Sequence, residues 1–438
     1  MSAVPNLAVI GQVNAGDTAW MLIATALVIL MTPALGLFYA GLVRSRNTLN
    51  TFMMCAAALA VATVMWALVG YSLAFDEGNG IVGGLGHAFL NDVAFAPRDG
   101  TTIPHLLFFA FQASFCIVTT ALVSGAVVER MRFGPFLAFA ALWSVLVYAV
   151  LAHWAFGGGW LQEGGTLDFA GGIPVEMGSG FSALAAALVV GARKDYGRQA
   201  LLPHNVVYVL LGAGLLWFGW FGFNGGSGFS TGNASVLAFT NTLLTPACTL
   251  AVWFLLDALR GRQVTAVGAA TAMIVGCVVI TPAGGFISPA WAMVLGALGA
   301  LPSYAVIVWR PRTRVDETLD VLAAHGVAGL TGILFIGFFA QESWNGVSDG
   351  LVYGNAGQLG WQTLAALAAP VYAFVATFLI LRLIALFTPL RATQHEEDLG
   401  MDVIQHGEEA YATGEGAILV TPEASGEAEM ALSNRDQA

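Results

Sequence analysis

Apolar residues run along this chain in long blocks, broken by short polar stretches carrying Arg, Asp, Gly and Pro. The blocks fall at about 20–43, 50–74, 103–128, 135–156, 169–192, 203–223, 236–259, 265–282, 287–309, 321–340 and 362–388, with ends placed to about four residues. Eleven blocks of this length predict eleven transmembrane helices, because about 20 apolar residues span a hydrocarbon core. Ten-residue segments of alternating polarity are missing, which argues against a membrane β-barrel. The first block lacks a basic lead-in and a small-residue cleavage site, so it is expected to stay as a helix and not to serve as a signal peptide.

The polar stretches between blocks are asymmetric. Arg44, Arg46, Arg130, Arg132, Arg193, Lys194, Arg198, Arg260, Arg262, Arg310, Arg312 and Arg314 all follow odd-numbered blocks, whereas Arg98 alone follows an even-numbered one. Basic residues mark the cytoplasmic side, so the expected topology is N-terminus out and C-terminus in. Composition agrees with a lipid solvent: 57% of the 438 residues are hydrophobic and 10% charged, and 53 glycines allow close helix crossings. The net charge of −11 belongs almost wholly to residues 392–438, which hold eleven Asp and Glu against Arg435. We therefore expect a membrane domain over 1–391 and an acidic cytoplasmic tail over 392–438. No basic stripe suits nucleic acid. Cys55, Cys116, Cys248 and Cys277 sit in apolar blocks without CxxC spacing, and no histidines stand at metal-ligand spacing, so neither cofactor nor metal is expected. Nucleophile elbows, Walker loops and HExxH motifs are missing as well, which leaves no foothold for an enzyme.

Blocks five and ten are alike: each is a small-residue helix bearing one ionisable group. Block five reads DFAGGIPVEMGSGFSALAAALVVG over 168–191 and holds Glu176; block ten begins DVLAAHGVAGLTG and holds His325. Such residues are costly in lipid and mark function by default. Each block opens on an Asp, Asp168 or Asp320. This rhyme suggests a five-plus-five inverted repeat followed by a final helix, with the site where the repeats meet. Asp168 is placed to accept backbone N–H bonds at a helix start. Counting from 169, Glu176 falls about 12 Å below the outer end, and counting from Asp320, His325 falls about 7–8 Å above the inner one. In a core about 30 Å thick, tilted helices can bring the two together. Pro174 leaves another count open, in which the helix starts there and Glu176 lies in its first turn.

Aromatic residues gather toward the outer side. Phe111 and Phe115 lie four apart on one helix face, and Phe223 precedes a glycine break and Ser227 in GWFGFNGGSG. Packing alone accounts for such phenyl stripes. The paired glycines favour a second account, in which phenyl faces and a hydroxyl hold a small cation.

The stretches GLFYAGLVRSRN, IPHLLFFAFQASF, VVERMRF, AHWAFGGGWLQEGGTLDFAGG, LPHN, GWFGFNGGSG, LRGR, TPAGGFI, RVDETLDVLAAHGVAGLTG and GMDVIQHGEEAY, in this order, make the chain resemble the ammonium transporter family over about residues 17–412. That family joins ammonium transporters, methylammonium permeases and Rh proteins, and the likeness is to the bacterial type. The resemblance implies a homotrimer in the plasma (inner) membrane with one pore per subunit. It assigns Phe115 and Phe223 to a phenyl gate, and Phe111 and Ser227 to an outer recruitment site, with which we group Asp168. His325 matches the second histidine of a pore pair, and Asp320 the aspartate before it. Residues 400–411 match a cytoplasmic stretch that communicates with PII-type signal proteins. Two positions depart from the family pattern. Glu176 stands where the first pore histidine is usual, a replacement also associated with some fungal permeases. Phe156 stands where a recruitment tryptophan is usual, with Trp154 and Trp160 both near enough in sequence to lean in. The resulting expectation is electrogenic ammonium transport, with Glu176 and His325 as a proton relay. A weakly transporting ammonium sensor and an electroneutral Rh-like gas channel are the alternatives.

Overall fold

The protein is described by a computed structural model covering residues 13–411; the remainder of the acidic tail, 412–438, lies outside the described residues. Among the described residues the chain is helical throughout, with isolated bridges and no strand. Ten helical segments are long and apolar enough to cross a membrane: α1 (Ala15–Leu42), α2 (Ser45–Phe75), α3 (His105–Ser124), α4 (Phe133–Gly164, interrupted at 157–159), α5 (Gly172–Val190), α6 (Val206–Gly226), α7 (Asn233–Leu259), α9 (Pro289–Arg312), α10 (Leu322–Phe339) and α11 (Ala356–Ile384). Between α7 and α9 lies the shorter apolar helix α8 (Ala266–Ile280). Helices dominate because in hydrocarbon every backbone group must find its partner within the segment.

Three helices begin earlier than hydropathy predicts. α1, α2 and α11 start at Ala15, Ser45 and Ala356 instead of about 20, 50 and 362. Two of these starts are capped by side chains: Asn14 accepts from Asp17 N at 3.0 Å and Asn355 from Gln358 N at 3.3 Å. Capping residues form a polar first turn, which a hydropathy window counts as loop.

The helices pack through glycine. A Cβ on Gly41 of α1 would lie 2.6 Å from Asn205 O, and one on Gly212 of α6 would lie 2.5 Å from Phe38 N. α1 and α6 therefore lie backbone against backbone, as do α5 and α10, where a Cβ on Gly180 would collide with the backbone of Gly326. These are the first and the last helices of the two five-helix groups.

On the side of the basic loops, Glu129 is buried at φ +71° and accepts from Arg44 Nε at 2.9 Å and Asn47 Nδ2 at 2.8 Å. Burial alone would raise its carboxyl, but Arg193 and Arg44 outweigh that and hold it down at about 2. The chain returns to this cluster after α11 in two short helices, α12 (Gln394–Leu399) and α13 (Met401–His406). Asp402 accepts from Leu49 N at 3.0 Å and Asn50 N at 2.7 Å, capping α2, and Met401 N donates to Asn47 Oδ1 at 2.9 Å.

Candidate functional site

α5 opens with a wide, π-type turn over Gly172–Met177. Asp168 sets it: Oδ1 accepts from Gly171 N at 2.9 Å and Gly172 N at 2.7 Å, and Oδ2 from Ile173 N at 2.7 Å. Three of the free N–H groups of the helix start are thereby satisfied, and Pro174 falls where its missing donor costs nothing. Glu176 lies inside this first turn. The count from 169 is thus corrected to the shorter alternative that Pro174 left open, because residues 169–171 form the approach and not the helix.

α10 opens in the same way, with a π-type turn over Leu322–Val327 that contains His325. Its cap is Glu317, whose Oε2 accepts from Leu322 N at 3.1 Å. Glu317 follows Asp168 by 317 − 168 = 149 positions, the separation between Glu176 and His325 and between Ile173 and Leu322. The structural counterpart of Asp168 is therefore Glu317 and not Asp320. Asp320, at φ +58°, instead accepts from Arg310 Nε at 2.6 Å. Glu317 is fully buried, and burial followed by the charge of Asp320 pushes its carboxyl up to about 7.

The two turns meet at the crossing of α5 and α10. His325 Nδ1 lies 2.8 Å from Glu176 Oε2; Glu176 is 0% and His325 4% exposed. The second carboxylate oxygen of Glu176 has no protein partner. The approach is close because Gly329 leaves room: a Cβ there would lie 2.5 Å from Glu176 Cβ.

Three cavities run in series past this pair. The outer one, about 310 Å³, is lined by Phe115, Phe156, Phe169, Ser227 and Phe229 together with Arg98. Its floor is the pair Phe115 and Phe223, whose ring centroids lie 4.1 Å apart at 35°. A narrow cavity follows, lined by Val118, Leu122, Trp220 and Phe223 and by the Glu176–His325 pair, the two ionisable groups in its wall. His325, Phe38 and Ile274 are shared with an inner cavity of about 480 Å³ that also reaches Arg310 and Asp320. An apolar path narrowed by two phenyl rings and holding one acid–imidazole pair suits a small solute that can lose and regain a proton.

Known proteins point the same way. The family model described as Ammonium Transporter Family matches residues 19–411. An ammonium transporter of Bacillus subtilis is 46% identical over 400 residues, covering 90% of this chain and 98% of that protein. The chain belongs to the ammonium transporter family. The ammonium transporter Amt1 of Archaeoglobus fulgidus is 38% identical over 397 residues, 90% of this chain and 99% of its own. Among solved structures, Mep2 of Saccharomyces cerevisiae superposes with a TM-score of 0.86 at 32% identity, covering 94% of each chain. A structure titled a sensor Amt protein superposes at 0.83 and 29% identity, covering 89% of this chain and 98% of that one. This chain is thus a multi-pass member of a transporter family and not an enzyme.

Within this family member, the residues taken for outer recruitment separate. Ser227 lines the outer cavity and donates to Phe223 O at 2.9 Å. Phe111 is fully buried behind it, 4.8 Å from Phe115 between ring centroids. Phe156 lines the cavity, whereas neither Trp154 nor Trp160 does: Trp154 donates to Ile81 O at 2.9 Å, and its ring lies 5.4 Å from that of Trp160. Asp168, with both oxygens committed to backbone N–H groups, is a cap of α5 and not a wall of the cavity. Sequence reading missed Glu317, Phe229 and the close crossing at Gly329. A search for equal spacing between the two repeats, starting from Asp168, would have found Glu317.

Proposed function

We propose that the chain transports ammonium across the plasma (inner) membrane by taking its proton, passing neutral ammonia and relaying the proton separately. The observation that carries this reading is the 2.8 Å contact of Glu176 with His325 in an otherwise apolar cavity below the Phe115–Phe223 pair. Ammonium enters the outer cavity, where phenyl faces and the Ser227 hydroxyl replace part of its water. It gives up one proton and leaves as NH₃, which needs no charge compensation between the phenyl rings. The proton passes along the Glu176–His325 unit, and NH₃ takes it back in the inner cavity. One positive charge crosses per ammonium. Potassium is of similar size but has no neutral form, so it meets the full cost of desolvation.

The reading includes a homotrimer with one pore per subunit, the N-terminus outside, a membrane unit over 1–391 and an acidic cytoplasmic tail over 392–438, whose stretch 400–411 offers a surface to a PII-type signal protein. A second reading, ammonium sensing with weak transport, draws on the likeness to the sensor Amt structure.

The test is current on an ammonium jump over proteoliposomes held on a solid-supported membrane. Transport by this route gives a saturable current with ammonium and none with potassium. Ammonia uptake without current would instead establish an electroneutral channel, and ammonium binding without flux would establish a sensor.

A further inference from the structure

Arg98 is the one basic residue after an even-numbered block, and its position in the fold gives it a task. It stands between α2 and α3 in a loop pinned by Arg98 N to Ile103 O at 3.3 Å and Thr101 N to Arg98 O at 3.0 Å. Its guanidinium carbon lies 4.2 Å from the centroid of Phe108 and 4.9 Å from that of Phe75, and Nη1 donates to the Tyr71 hydroxyl at 3.2 Å. Among the described residues, no carboxylate oxygen lies within ion-pair distance of it. The charge is therefore held by aromatic faces and a phenol, none of which neutralises it.

The place of that charge matters because Arg98 lines the same 310 Å³ cavity as Ser227, Phe156 and Phe115. Aromatic contacts continue inward from its platform. Phe108 lies 5.0 Å from Phe229, Phe229 lies 5.7 Å from Phe111, and Phe111 lies 4.8 Å from Phe115 of the floor. Asp99 lines this cavity too, and Asp76, Glu77 and Glu163 line a neighbouring outer one. The mouth thus combines carboxylates that gather cations with one fixed cation on the route to the phenyl pair.

We infer that Arg98 is an affinity-determining residue of the outer mouth: a resident positive charge that sets the apparent affinity for ammonium by opposing cation occupancy of the recruitment cavity. The inference rests on the proposal that the outer cavity recruits ammonium. Potassium and sodium are opposed in the same way, so the charge lowers occupancy of the mouth by monovalent cations alike and leaves discrimination to the deprotonation step.

The experiment compares ammonium-jump currents of the intact protein with those of Arg98→Gln, Arg98→Lys and Ser227→Leu, with calorimetric titration of methylammonium as a second readout for a chain that binds without transporting. Arg98→Gln should lower the KM or Kd by about three- to tenfold, as removal of one partly screened charge implies, with the change confined to affinity. Arg98→Lys, which keeps the charge, should stay near the parent protein. The gap between Arg98→Gln and the parent should narrow as ionic strength rises, which a purely structural role would not produce. Should the Gln variant fail to fold, Arg98→Met keeps the side-chain stem on Phe108 and removes the charge. An unchanged or raised KM in the charge-free variant, or a Lys variant that shifts as far as the Gln one, would overturn the inference. If Ser227→Leu still weakens ammonium affinity in that case, only the role of Arg98 is lost. If neither substitution moves affinity, outer recruitment is lost with it.

Discussion

Replacing Glu176 with Gln tests the relay directly. Gln keeps the volume and an acceptor for His325 but can neither take nor give a proton at that position. Because the carboxylate rests on one 2.8 Å contact and its other oxygen has no protein partner, Gln loses a single charge-assisted bond, costing about 1 kcal/mol. The reverse change, His325→Asn, leaves a fully buried acid without its partner and should cost about 3–5 kcal/mol or force protonation. The double variant should then be more stable than the two single changes added together predict, by about 0.5–3 kcal/mol. Thermal unfolding in detergent reads these differences, and ammonium-jump current reads the function. Current should fall about a hundredfold in Glu176→Gln, the scale of a lost proton-transfer group, while the oligomer stays folded. Glu176→His should keep current with a displaced pH profile, because two imidazoles titrate differently from an acid with an imidazole. Full current in Glu176→Gln with potassium still excluded would show that this carboxylate is not the relay, and the proposed mechanism would fall with it.

Glu317 offers a pH test with a definite sign. Its folded value of about 7 lies above the ordinary 4.5, so the folded state prefers the protonated acid, and stability present below pH 4.5 drains away as pH rises to 7. Glu317→Gln should match the parent near pH 4.5 and exceed it by about 3 kcal/mol at pH 8, read as an unfolding shift; an equal gap at both pH values would refute this. Gly329→Val should lower stability by about 1–3 kcal/mol and reduce current, since its Cβ meets Glu176 Cβ at 2.5 Å; an unaffected variant would mean the crossing has slack. For topology, exposed positions are available at Gln199 and Ser343, and Cys248 is the only native cysteine not buried. Gln199→Cys should label from the cytoplasmic side and Ser343→Cys from outside, with crosslinking ending at trimer; labelling of both from one side would sink the proposed orientation.

Much of the fold was legible because lipid makes long apolar runs unambiguous, and all eleven blocks correspond to helices. What hydropathy could not show was the polar edge of each helix. Asn14 and Asn355 belong to helix starts by hydrogen bonding and to loops by composition. The acid–imidazole pair was visible as two isolated polar residues in apolar blocks. The path between them was not, since it depends on π-type turns that wind Glu176 and His325 inward within a few residues of their caps. The rhyme of Asp168 with Asp320 matched residue type where the repeat conserves spacing. Glu317 is a different acid with a longer reach, and only its distance from Asp168 along the chain reveals the correspondence. Phe156 lines the outer cavity, but whether a neighbouring indole covers it depends on side-chain direction, and Trp154 points to Ile81.

The return of residues 401–402 to the start of α2 has a consequence for biosynthesis. Leu49 and Asn50 belong to the second helix to leave the ribosome, yet their N–H groups wait for Asp402, some 350 residues of synthesis later, as Asn47 Oδ1 waits for Met401. Until then the first helical hairpin carries N–H groups at the start of α2 whose side-chain acceptor has not yet been made. A chain released before residue 402 has every helix through α11 and still lacks the clasp that closes its beginning. Closure at Asp402 thus follows translation of the whole membrane unit, and a stop codon a few codons earlier would leave the start of α2 without these partners.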